Sequence, residues 1–242
     1  MRYYTRYRSF GTPSYLPTGV KWLIIANTGI FLLSYIFSSL APHLLLLSLA
    51  PVMVLKHFAI WQLATYMFLH GGVWHLLLNM LALWMFGSPL ERDWGTRRFL
   101  QYYFLCGIGA GICDVILNGM LGNWGTHTVG ASGAVYGLLL AFGMLYPNAQ
   151  VILFIFPMKA KYMVMIFGAV AFLGALRPGS GVSDIAHLGG MAFGYAYLRM
   201  RFFNIDMDYF RREYNAWKLR RAKKRFQVYM RKHGSDRDTW VN

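Results

Sequence analysis

Three stretches of this chain contain no Lys, Arg, Asp or Glu: Trp22 to Pro42, His57 to Leu90 and Val115 to Met158, which are 21, 34 and 44 residues long. A helix that crosses a bilayer needs about 20 predominantly apolar residues. The runs therefore hold several spans and exclude an ordinary water-soluble globule. Composition agrees, with 57% hydrophobic residues, 14% charged residues and a mean hydropathy of +0.38, against about a quarter charged in a typical soluble domain. The first run begins near Trp22 and is too long and too poorly punctuated for a cleavable secretory h-region, so it is read as a span.

Breaking the runs at Gly, Pro and Asn clusters predicts six helices. They cover about Val20 to Leu40, from after Gly71-Gly72 to before Glu91, Phe99 to Leu117, Gly130 to Tyr146, Tyr162 to Leu176 and Ser183 to Arg199. Pro147-Asn148 stops the fourth and Arg177-Pro178-Gly179 the fifth. The expected fold is an all-α polytopic membrane protein, a six-transmembrane-helix bundle. Its expected parts are an N-terminal segment (1–19), the membrane domain (20–203) and a basic tail (204–242).

Six spans put both termini on one side, and the charge of +15 identifies it. Of the 24 Lys and Arg residues, 22 fall on the side of the termini, 13 of them between Arg199 and Arg237, and only Lys56 and Arg177 fall opposite. The positive-inside rule places the termini in the cytoplasm, and a plasma (inner) membrane is the simplest location. The long first outer loop, Ala41 to Gly72, is aliphatic and aromatic but broken by Pro51 and Lys56, which fits an interfacial or re-entrant element.

Polar groups inside spans are expensive and need a reason. His75 and Asn79 lie i,i+4 on one face of the second helix. The fourth opens with Gly130-Ala131-Ser132-Gly133-Ala134-Val135-Tyr136-Gly137, and the sixth with Asp184-Ile185-Ala186-His187-Leu188-Gly189-Gly190, followed by Gly194. All three helices travel inward from outer loops. Their polar residues therefore share one layer just below the outer surface, submerged yet reachable by water.

A serine hydroxyl becomes a good nucleophile when a base accepts its proton, and histidine is the usual base near neutral pH. Ser132 and His187 are the candidates for that pair. Negative charge on an attacked carbonyl oxygen needs waiting donors. The unpaired N–H groups of the first turn around Ser132 can supply them, as can the side chains of His75 and Asn79. Gly130, Gly133 and Gly137 leave room for close backbone approach. Gly190 and Gly194 have the small-xxx-small spacing of tightly packed membrane helices, and Tyr136, one turn after Ser132, can cover the His187 ring.

Four segments together, Trp74-His75-Leu76-Leu77-Leu78-Asn79, Glu91-Arg92-Asp93-Trp94-Gly95, Gly130 to Gly137 and Ala186 to Gly194, resemble the successive signatures of rhomboid intramembrane serine proteases. The resemblance runs in order from about Val20 to Met200. It implies a Ser132–His187 dyad, an oxyanion site from the Ser132 backbone N–H with His75 and Asn79, and Tyr136 packed on His187. It also implies the substrate, a single-pass membrane protein whose helix unwinds at small or helix-breaking residues. The family's Trp-Arg pair in the first loop is Trp61-Gln62 here.

Other polar residues read as structural. Asp184 fits a helix N-cap better than a third catalytic member, Asp114 is expected either to face Asn118 or another polar partner or to mark an irregular span, and Glu91 to join a charge network with Arg92, Arg97 and Arg98. His70 stands off the His75 face. Cys106 and Cys113, seven apart on one helix, read as small buried hydrophobes, and without an H-E-x-x-H or a Cys pair no zinc site is expected. No cofactor is implied. In the tail, Phe210, Tyr214 and Trp217 with Lys218, Arg220, Arg221, Lys223, Lys224 and Arg225 fit a basic amphipathic helix on anionic lipid, and nucleic acid is not the expected partner. Two other functions are weighed. A catalytically silent scaffold that binds transmembrane helices would not need the Ser132 and His187 pair, and a transporter would show paired intramembrane acids or repeats, of which only Asp114 is present.

Overall fold

The computed structural model describes residues 16–37, 41–153, 156–176 and 184–200, together with Lys218, Leu219, Arg221 and Lys223. The amphipathic reading of the tail rests on residues outside this set, and so does the N-terminal segment up to residue 15. The chain forms two compact units, Met1–Tyr197 and Leu198–Asn242.

The first unit is built around one helix. α1 is Thr18–Ile36, and three short helices follow, α2 (Ala41–Leu45), α3 (Pro51–His57) and α4 (Gln62–Thr65). A single 3₁₀ turn, Tyr66–Phe68, leads to α5 (Val73–Ala82), which passes through a π-helical stretch at Leu83–Gly87 into α6 (Ser88–Trp94). α7 (Thr96–Met120), α8 (Ser132–Leu145) and α9 (Ala160–Ala175) come next, and residues 184–200 form α10. α7 is the spine: Phe99, Tyr102, Tyr103, Cys106, Ala110, Asp114 and Asn118 along it are all buried. Among the described residues, three helices are long and apolar enough to cross a membrane, Thr18–Ile36, Val73–Trp94 and Thr96–Met120, and Ser132–Leu145 and Ala160–Ala175 are shorter apolar helices. Large apolar side chains on their outer faces are exposed, among them Trp22, Ile25, Leu32, Met165, Val170 and Phe172. Large apolar side chains exposed along helices this apolar suit contact with lipid.

Several boundaries differ from the sequence reading. The second span continues to Trp94 instead of stopping before Glu91: the backbone stays helical through Ala82, Gly87 and Ser88, and the π-helical stretch at Leu83–Gly87 lies just before Pro89, where the helix absorbs a missing N–H. α8 is shorter than expected, starting at Ser132 and ending at Leu145. The expectation of an all-α chain is also corrected. Gln150–Leu153 (β1) and Phe156–Lys159 (β2) pair antiparallel, with Val151 opposite Met158 and Ile152 opposite Pro157. The chain beyond Pro147 is rich in β-branched and aromatic residues, which suit a pleated ribbon.

Glu91 does not work through the arginines. Its carboxylate accepts the N–H groups of Gly19 (2.7 Å) and Val20 (2.8 Å) and the Thr96 hydroxyl (2.7 Å). It therefore satisfies orphan donors at the start of α1, where a negative charge also suits the helix dipole.

Candidate active site

Ser132 is the first residue of α8, so its position depends on how the preceding loop is held. Thr128 pairs with Leu49 through two backbone bonds, of 3.0 and 2.8 Å. Its hydroxyl donates to Asp114 Oδ2 at 2.9 Å, while Asn118 Nδ2 donates to Asp114 Oδ1 at 3.1 Å. The expected Asn118 partner of Asp114 is therefore present, and Thr128 is a second. Gly130 N–H donates to the Tyr66 carbonyl at 2.9 Å, and the Tyr66 hydroxyl donates to the Gly107 carbonyl at 2.6 Å. The segment carrying Ser132 is thus tied both to the first loop and to the spine. Tyr66 and Thr128 escaped the sequence reading, for which an apolar tyrosine and a loop threonine gave no signal.

Gln62, which is buried, holds that first loop together. Its Oε1 accepts Ala50 N–H at 3.1 Å and its Nε2 donates to the Leu46 carbonyl at 3.0 Å, to which Trp61 Nε1 also donates at 3.1 Å.

Gly130 shows how tightly the site is built. Its φ of +123° is open to glycine and strained for other residues. A Cβ there would also lie 2.7 Å from Cε1 and Nε2 of His75 and 3.8 Å from Ser132 Oγ. The His75 ring and the Ser132 hydroxyl therefore lie on the same side of Gly130, the side a Cβ would occupy. Gly71 N–H donates to His75 Nδ1 at 3.4 Å, which assigns the hydrogen of the neutral ring to Nε2, the atom facing Gly130. Asn79 is buried and its amide donates to the His75 carbonyl at 2.8 Å, leaving one amide hydrogen.

His187 reaches the same face of α8. Ser132 and Tyr136 are i,i+4 neighbours, and the Tyr136 and His187 rings stack with centroids 4.0 Å apart and planes 6° from parallel. Small residues permit this approach. A Cβ on Gly190 would lie 1.9 Å from the Gly133 carbonyl oxygen, one on Gly133 2.5 Å from Ala110 Cβ, and one on Gly194 2.4 Å from the Tyr102 hydroxyl. One on Gly137 would lie 2.5 Å from Cys106 Sγ. α7, α8 and α10 therefore meet almost backbone to backbone.

Two details bear on chemistry. No hydrogen bond joins Ser132 to His187 among the described residues; such bonds are often long without substrate and tighten in the reacting complex. His187 Nδ1 is buried without a hydrogen-bond partner, and Asp184 Oδ1 stands 3.7 Å from it. Asp184 itself lies within the helical residues 184–200. Cys106 and Cys113 are free thiols, the first fully buried. His70 stacks edge-on to His75 at 5.1 Å, with both ring nitrogens buried and unpartnered.

The class these features define is a helical integral membrane protein with a polar cluster between its helices. A family profile, the Rhomboid domain, matches residues 57–203, more than half of the chain, and the chain belongs to the rhomboid family. It is similar to Rhomboid protein 1, mitochondrial, of Saccharomyces cerevisiae, 37% identical over 135 residues that cover 54% of this chain and 38% of that protein. Rhomboid-like protease 3 of Toxoplasma gondii is 28% identical over 183 residues, 73% of this chain and 66% of the relative. Rhomboid protease GluP of Bacillus subtilis is 33% identical over 138 residues, 56% of this chain and 25% of the relative. In each case the chain spans less than two thirds of the relative's length.

Proposed function

We propose that the protein is an intramembrane serine endopeptidase that cleaves transmembrane segments of single-pass membrane proteins near the outer face. The observation that carries this reading is the convergence on α8: His187 stacked on Tyr136 on the face bearing Ser132, with the His75 ring and the Ser132 hydroxyl on the same side of Gly130.

In the reaction, His187 Nε2 accepts the Ser132 proton as Oγ attacks the scissile carbonyl. The oxyanion meets the Ser132 N–H at the positive end of α8, His75 Nε2–H and the remaining amide hydrogen of Asn79. The intermediate collapses, His187 returns the proton to the leaving amine, and water hydrolyses the acyl-enzyme with the same base. Tyr136 holds the imidazole plane, and Gly133, Gly190 and Gly194 let its helix approach.

The surrounding membrane architecture belongs to the same proposal. Six spans, completed by α8, α9 and α10, leave both termini in the cytoplasm of a plasma-membrane protein. The first loop lies at the interface and the basic tail rests on anionic lipid. α8 spans about 21 Å by rise per residue, less than the hydrocarbon core of about 30 Å, so Ser132 is submerged.

The test is cleavage of a reporter transmembrane substrate in reconstituted vesicles. Ser132→Ala and His187→Ala should each lower turnover by about 10³-fold or more, and the double variant should be no worse than either, because residues acting as a unit are not additive. Normal turnover in a folded single variant overturns the dyad.

A further inference from the structure

The β hairpin between α8 and α9 has no part in the chemistry above, and it sits at the end of the bundle remote from Ser132. Tyr146, just past α8, donates a hydrogen bond to Asp93 at the end of α6, so the hairpin shares this end with the α6–α7 junction. Its sequence is unusual for a ribbon in water. From Val151 to Met158 no side chain is polar. Val151 is buried against the bundle, but Ile152 is 65% exposed and Phe156 67% exposed. These two lie on opposite faces of the ribbon, since Ile152 pairs with Pro157 and Phe156 with Leu153. An apolar two-stranded ribbon with open edges invites aggregation unless something covers it.

Helix length points to the cover. α8 has 14 residues and α9 has 16, about 21 and 24 Å against a hydrocarbon core of about 30 Å. This hairpin joins two spans shorter than the hydrocarbon core, which holds it at the membrane boundary. Open strand edges forbid full immersion in hydrocarbon, where unpaired backbone groups find no partner. The interfacial zone remains, which accommodates apolar side chains and hydrated backbone together.

Charge selects the lipid. Exposed Lys159 ends β2 opposite Gln150, and Lys161 Nζ lies 4.9 Å from the centre of the half-exposed Tyr162 ring. At the same end Arg92, Arg97 and Arg98 are exposed. The neighbouring acids are engaged, Glu91 by the start of α1 and Asp93 by Tyr146.

We propose that the hairpin is an interfacial anchor that seats Ile152 and Phe156 in the acyl boundary of an anionic leaflet, with Lys159 and Lys161 at the lipid phosphates. This rests on residence in the membrane and not on peptidase activity.

The test uses the full chain in vesicles of phosphatidylcholine and phosphatidylglycerol, spin-labelled at Ile152→Cys or Phe156→Cys with Cys113→Ala; Cys106 is buried and stays. Collision with oxygen should exceed collision with a water-soluble nickel chelate, at a depth about 5–10 Å below the phosphates. Lys159→Gln with Lys161→Gln should make the label shallower in anionic vesicles and leave it unchanged in pure phosphatidylcholine. Nickel-dominated collisions, spin–spin broadening from a second copy, or a depth indifferent to lipid charge would each overturn the proposal. A photoreactive phosphatidylglycerol with the unsubstituted protein gives an independent reading: lipid adducts should map to residues 150–162, and adducts elsewhere only would contradict it.

Discussion

Tyr136 and His187 lie ring on ring, 4.0 Å between centroids and 6° from parallel, with Tyr136 one helical turn after Ser132 on α8. A stacked aromatic pair contributes about 0.5–1.5 kcal/mol beyond its buried area. Tyr136→Phe keeps the stack and should retain most turnover of a transmembrane reporter. Tyr136→Ala should lose about tenfold through misorientation of the base. Equal turnover in the two variants would show that the stack is incidental.

Gly130 should tolerate no side chain. Gly130→Ala sets a Cβ against the His75 ring at a backbone φ of +123°. The expected outcome is a fold that survives and turnover that falls at least ~10²-fold, the scale of losing one oxyanion donor. Thermal unfolding in detergent alongside the cleavage assay separates this from global loss of structure.

Asp114 and Thr128 should matter through the loop they hold. Thr128→Val removes one hydrogen bond and leaves a buried carboxylate oxygen without its donor, a cost of about 1–3 kcal/mol. Asp114→Asn keeps the shape and should cost less than Asp114→Leu, which strands both Thr128 and Asn118. The order of the three melting temperatures checks this. A Leu variant as stable as the parent would show that the clasp is dispensable.

Acid should loosen the structure through His70. Burial, and secondarily the neighbouring His75, lowers its pKa from 6.5 to about 4. The unfolded chain therefore binds a proton that the folded chain resists. The penalty is absent above about pH 6.5, grows as pH falls towards 4 and levels off below it. His70→Leu should reduce the fall in melting temperature between about pH 7 and 4.5. An unchanged fall would place the acid sensitivity in other groups.

Much of this architecture was legible in the sequence because lipid imposes local rules. Charge-free runs marked the helices, and costly polar residues such as Ser132, His187, His75 and Asn79 stood out against them. What escaped depends on distance along the chain. The bonds from Glu91 to Gly19 and Val20 cross more than 70 positions, and nothing near Glu91 favours them over its adjacent arginines. The hairpin was hidden for the opposite reason. Its apolar residues look like more membrane helix or loop, and only pairing across the ribbon distinguishes them.

The central claim is that Ser132 is a nucleophile activated by His187, and labelling with a serine-directed fluorophosphonate followed by peptide mapping tests it most directly. The account predicts a single modified residue, Ser132, in the folded protein, and loss of that modification in His187→Ala. Equal labelling of Ser132 in His187→Ala, or no labelling of Ser132 in the folded parent, would contradict it.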